Sequence, residues 1–181
     1  YDEMPKTTDS NGTVDFSIPS NSLFTVRMNK ENYAEHRLVG RAGSSDFRYV
    51  SFTASRATSQ QAFGSAGVTL DSNRGILVVG VDEIVSRAPF LQLEPMIGAS
   101  VNLDSDHGQA ITIGGGFPHA DATIEEGEQG FVAFPNVATG PVDISVQPPE
   151  DKSCELDPGG GDQPDITSDA DTVTVVTFVC Q

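Results

Sequence analysis

The residues with the most chemical potential in this 181-residue chain are two cysteines, three histidines and a surplus of aspartates. Cys154 and Cys180 stand 26 positions apart with no CxxC spacing, which suits a disulfide better than a metal site. Two buried free thiols are the alternative. A bridge would stabilise the fold by roughly 3.5 kcal/mol in the loop-closure model and implies an oxidising compartment. In DSDHG (104–108), Asp104 and Asp106 lie at i and i+2 before a glycine, as at the start of a calcium loop. The other ligands and the bidentate glutamate of such a loop are missing. A long acidic segment, CELDPGGGDQPDITSDAD (154–171), adds Asp162 and Asp165 among its carboxylates. Calcium is the only cofactor these residues suggest, and a solvated acidic surface is the competing reading.

No catalytic constellation emerges. His36, His107 and His119 fall in no HExxH or HxH pattern, and GxSxG is absent. His107 and His119 could meet Asp104 and Asp106 on a metal, although such histidines are more commonly solvated turn residues. GGGFPHAD (114–121) lacks the lysine and the following helix of a phosphate loop. Glu125, Glu126 and Glu128 sit in EEGEQG, a turn, where solvation outweighs an acid–base role. With no Trp and three Tyr, there is no evident aromatic platform for sugars. The expectation is a chain that is not an enzyme.

The elements that must carry these residues are strands. Val14, Phe16 and Ile18 alternate, as do Phe24, Val26 and Met28, then Val101 and Leu103, then Val142, Ile144 and Val146. FRYVSF (47–52), ILVVGV (76–81) and TVTVVTFVC (172–180) are dense β-prone runs, the second of them apolar enough for burial on both faces. Turn chemistry separates them at DSNRG (71–75), GGGFPH (114–119), EEGEQG (125–130) and NVATGP (136–141). One short helix is predicted near 58–66, with Thr58 and Gln61 as a capping box and Ala62, Phe63 and Ala66 as its stripe. The expected fold is all-β, an antiparallel Greek-key sandwich. Its core is predicted to include Val78, Val101, Leu103, Phe134, Ile144, Val146, Val175 and Phe178.

Lys and Arg number 10 against 26 Asp and Glu, a net charge of -16. Nucleic acid and anionic membranes both require a positive patch, so neither is an expected partner. The apolar runs are too short to span a bilayer. The chain opens on YDEMPKTTDSNG without an initiator Met or an apolar signal core, so we expect a removed signal or a numbering that begins within a precursor. An exported protein, extracellular or periplasmic, is the expectation.

Three segments carry a family resemblance. GILVVGVDE (75–83) reads as a first strand, PMIGASVNLD (95–104) as a second, and GFVAFPNVATGPVDISV (130–146) as a hairpin. Together they resemble the carboxypeptidase regulatory-like family, over roughly residues 75–180. The resemblance implies a transthyretin-like (prealbumin-like) sandwich of about seven strands and a non-catalytic module within larger exported proteins. Residues 1–74 would then be a β-rich extension or a partial second sandwich. FLQLEP (90–95) and the 104–124 loops are longer than the family spacing. The leading functional expectation is a structural or interaction module of an envelope or extracellular assembly. The alternative is a calcium- or carbohydrate-binding module using the 104–121 or 154–171 loops. Phe24, Val26 and Met28 present one apolar face on a strand pair outside the family region. That pair must extend its own subunit's sheet or meet a neighbouring chain, and the expectation is self-association there.

Overall fold

The structure, a computed structural model, describes residues 5–47, 53–86, 92–149, 151–157, 159–161 and 163–181. Asp162 and all but Phe47 of the 47–52 run lie outside the described residues. The chain is all-β apart from one helix. In order its elements are β1 (Leu23–Met28), β2 (Glu35–Arg41), α1 (Arg56–Ser65), β3 (Gly75–Ser86), β4 (Gln92–Pro95), β5 (Ser100–Leu103), β6 (Thr112–Gly114) and β7 (Phe117–His119). There follow β8 (Phe131–Val137), β9 (Gly140–Val142), β10 (Ile144–Gln147), β11 (Cys154–Leu156), β12 (Ile166–Ser168) and β13 (Thr172–Cys180).

The most β-prone run, β13, becomes the centre of a seven-stranded sheet. On one side it pairs with β3, from Val173 opposite Ile76 to Cys180 opposite Glu83. Its other side is shared, with β2 along Thr172–Val176 and β11 along Phe178–Cys180. The far side of β3 is divided likewise between β8 and β4. β1 closes one end by pairing with β2.

The pairings of β13 with β2 and with β3 are parallel, which corrects the expectation of a purely antiparallel fold. Parallel neighbours need a long crossover, and residues 42–74 with α1 supply one between the two strands that flank β13. Of the four predicted turns only GGGFPH joins a paired hairpin, β6 with β7. Residues 130–146 are not the expected hairpin, since β8 pairs with β3, β9 with β12 and β10 with β5, partners that turn residues do not record. The N-terminal strands are thus part of the same sheet as β3 and β13.

Two-stranded pieces, β5 with β10 and β9 with β12, form the second layer. The core lies between the layers, joining Leu77, Val79, Val81, Val132, Phe134, Val176 and Phe178 to Val101, Val142, Ile144 and Ile166. Leu103 and Val146 are half-buried against it. Val78 and Val175 are not in this core. They are register partners on the opposite face of the sheet, where Val175 packs on a small second cluster of Phe24, Leu38 and Ala42. The run ILVVGV is apolar at both parities and so could not reveal which set faces inward.

Helix α1 begins earlier than expected. Ser55 is its N-cap, accepting from the Thr58 amide, so Thr58 sits one turn inside rather than at the cap. None of its residues is buried. Asn136 fixes the chain after it, donating to Thr69 O and accepting from the Asp71 amide.

Cys154 and Cys180 form a disulfide between directly opposed residues of β11 and β13. Ser153 and Gln181 beside them exchange both backbone hydrogen bonds, at 3.1 and 3.0 Å. The cysteines therefore occupy a non-hydrogen-bonded position, where side chains approach most closely. The bridge pins the base of the acidic 154–171 segment. The GGG stretch of that segment is pressed onto β2. A β-carbon at Gly159 would lie 2.3 Å from Arg41 O, so only glycine fits there.

Candidate functional site

The site best defined by its backbone is the free edge of β1. Asn21, at a φ of 60°, and Ser22 together oppose Ala42. The Asn21 amide donates to Ala42 O at 2.9 Å, and the Ala42 amide donates to Ser22 O at 2.8 Å. This bulge sets the phase of the β1–β2 ladder. Phe24, Val26 and Met28 direct their backbone groups toward β2, and Leu23, Thr25 and Arg27 direct theirs to the free edge. No described strand pairs with that edge. The side chains of Phe24, Val26 and Met28 share one face, as the alternation predicts. Phe24 is buried over its register partner Gly40 and stacks on Phe47 at 5.7 Å between ring centroids. Val26 and Met28 are half-buried beside it.

The opposite end of the strand array is built differently. Ile111 and Ala133 exchange two hydrogen bonds, of 2.9 and 2.8 Å, which bring the β6–β7 hairpin beside β8. The Gln129 amide donates to Ile113 O, so Pro118, opposite Ile113 in the register, turns its backbone away from β6. Proline there offers no N–H and blunts the edge. Phe117 is 72% exposed beside it. β4 and β11 are outer strands as well, but they run for four and three residues, β4 ending on Pro95, against six in β1.

A cleft of about 700 Å³ lies where the β1–β2 turn, the start of α1 and the β12–β13 turn meet. Its cations are engaged. Arg37 bonds Glu35 and Asp169, and Arg56 bonds both oxygens of Asp171. Burial opposes the charge of Arg37, yet the hydrogen bonds and charges of the two carboxylates outweigh it and hold the guanidinium protonated. Lys30 lies over the Tyr33 ring, 4.8 Å from its centroid. These pairs tie the N-terminal hairpin and the helix to the start of β13.

On the outer face of the sheet two carboxylates flank β13. Asp82, on β3, is level with Val179, and the Asp157 amide donates to Thr177 O. Gly130 approaches so closely that a β-carbon there would lie 2.5 Å from Asp82 Oδ1. Burial first, and the charge of Asp157 second, push Asp82 up to about 6. Burial also raises Asp157, and burial lowers His36, which lies beneath the same face. Asp82 is the acid that directly follows an apolar run, with Glu83 next to it, whereas its pairing with Asp157 follows from the registers of β3 and β11.

Among the described residues, Asp104, Asp106 and Asp165 are not grouped with one another. Asp104 and Asp165 are exposed, and Asp106 forms a salt bridge with Arg74 at 2.7 Å. His107 instead sets its ring edge against Phe134 at 5.0 Å, and His119 lies 3.1 Å from Gly114 O. Among the described residues no three His, Cys, Asp or Glu side chains are grouped to hold a metal ion. Glu128 is not merely solvated: its carboxylate accepts from the Thr112 hydroxyl and the Glu125 amide, clasping its own turn. The described residues include no helix long and apolar enough to cross a membrane. No family model, curated protein or solved structure matches the chain.

Proposed function

We propose that this chain is a non-catalytic, exported interaction module that works as one subunit of a larger extracellular or envelope assembly. The observation that carries this reading is the outer edge of β1, at one end of a seven-stranded sheet, which no described strand pairs with and which holds no proline. An open strand edge is a template for another strand. The cross-strand disulfide suits an oxidising compartment. The two arginines of the cleft are committed to Asp169 and Asp171 and serve to hold the hairpin and helix in place.

Kinship with the carboxypeptidase regulatory-like family, and with it a transthyretin-like Greek key, is part of the proposal. What supports it is that β3, β5, β8, β9 and β10 fall on the three segments that carry the resemblance. The expected 130–146 hairpin is not part of that support, because β8, β9 and β10 pair with other strands. The experiment is to isolate the protein from its native source under mild conditions and measure its size. A particle many times the mass of one chain is expected. A monomer carrying hydrolase activity in a broad substrate screen would overturn the reading.

A further inference from the structure

The edge just described also specifies its occupant. We propose that β1 pairs antiparallel with β1 of a second copy of this chain, about a two-fold axis at Val26, to give one continuous sheet. This rests on the interaction-module reading and names its first contact.

Charge argues for like on like at this place. Residues 1–70 hold seven Lys and Arg against seven Asp and Glu, whereas residues 71–181 hold three against nineteen. The whole net charge of -16 thus belongs to the second stretch, and β1 itself carries no carboxylate. Two copies repel over most of their surfaces, and the charge-balanced N-terminal strands are where that repulsion is least.

The strand is also self-complementary. A two-fold axis perpendicular to the sheet requires partners of equal parity, so that both copies keep their faces aligned. Centring on Val26 sets Val26 against Val26, and Met28 against Phe24 of the second copy. Every member of the apolar face then gains an apolar neighbour. On the other face Thr25 meets Arg27, which avoids the arginine-on-arginine contact that centring on Arg27 would create. The free amides and carbonyls of Thr25 and Arg27 supply the new ladder. Centring on Thr25 would instead leave Met28 opposite Ser22.

The test uses the full chain with its native disulfide intact. Val26→Cys should form a disulfide-linked dimer under mild oxidation. Thr25→Pro, which removes an outward amide with no partner among the described residues, should be monomeric by sedimentation. Val26→Lys, which sets two cations on the axis, should be monomeric too and covers the case in which the proline variant does not fold. Wild-type association should tighten about tenfold from roughly 20 to roughly 500 mM salt, since screening relieves the mutual repulsion. A chain that associates without cross-linking at position 26, with both edge variants unaffected, would overturn this contact and leave the assembly reading standing. A chain that is monomeric when pure, yet bound through β1 to a different protein in its native particle, would overturn it as well. A monomer both when pure and when drawn from its source would sink both.

Discussion

Replacing Asp82 with asparagine should stabilise the protein at neutral pH. Asp82 is enclosed by Gly130 and Pro95 on one side and faces Asp157 across β13. Its carboxyl is raised from 3.8 to about 6, by burial first and by Asp157 second. Such a shift corresponds to about 3 kcal/mol. Solvent still reaches part of the group, so we discount this to about 1–2 kcal/mol. The native state binds the proton more tightly than the unfolded chain does. The associated stability is therefore full below about pH 4, falls as pH rises to about 6 and is lost above that. Asparagine cannot ionise and keeps the low-pH value throughout. Urea unfolding followed by circular dichroism at about pH 3.5, 5 and 7.5 reads this directly, provided the slopes match. The variant should equal the wild type at the lowest pH and exceed it by about 1–2 kcal/mol at the highest. A variant less stable at neutral pH, or a gap independent of pH, would refute the account of this buried pair.

Three other outcomes are expected. Cys180→Ser should cost about 2–5 kcal/mol, the usual effect of losing a native disulfide in a secreted domain, as read by denaturant unfolding without reductant. Phe134→Ala should cost about 3–5 kcal/mol, because the ring is 1% exposed and is central to the two-layer core; a loss under about 1 kcal/mol would place β8 in the wrong register. Calorimetric titration with millimolar calcium should give no heat, since Asp106 is committed to Arg74 while Asp104 and Asp165 stand exposed.

Strands were legible at most clean alternations, but not at Val14, Phe16 and Ile18, which alternate and yet form no strand ahead of β1. Val142 and Ile144 turn inward as the pattern demands, and Phe24, Val26 and Met28 do share a face. Alternation failed where a run is apolar at both parities, which is why Val78 was assigned to the wrong side of β3. Parallel pairing was hidden because β2, β3 and β13 are brought together from distant parts of the chain, and no turn residue records that. The helix start was displaced because Ser55 and Thr58 are both acceptable caps, and the chain uses the earlier one. The cysteine pairing was readable from spacing, since two residues allow one intrachain bridge. The Asp82–Asp157 pair and the Arg37–Asp169 contact were not, because each depends on strand neighbours that local pattern does not encode. That Arg74 reaches Asp106 was not legible either, since it joins residues 32 positions apart.

The central claim, that the chain works through the open edge of β1, is tested most directly by amide hydrogen exchange at Leu23, Thr25 and Arg27. Their backbone groups face away from β2, whereas those of Phe24, Val26 and Met28 face it. In dilute protein the first three should exchange quickly and the second three slowly. At high concentration, or in the native particle, Thr25 and Arg27 should slow by about a hundredfold or more while Phe24, Val26 and Met28 stay slow. Unchanged fast exchange at Thr25 and Arg27 in the assembled protein would contradict the claim.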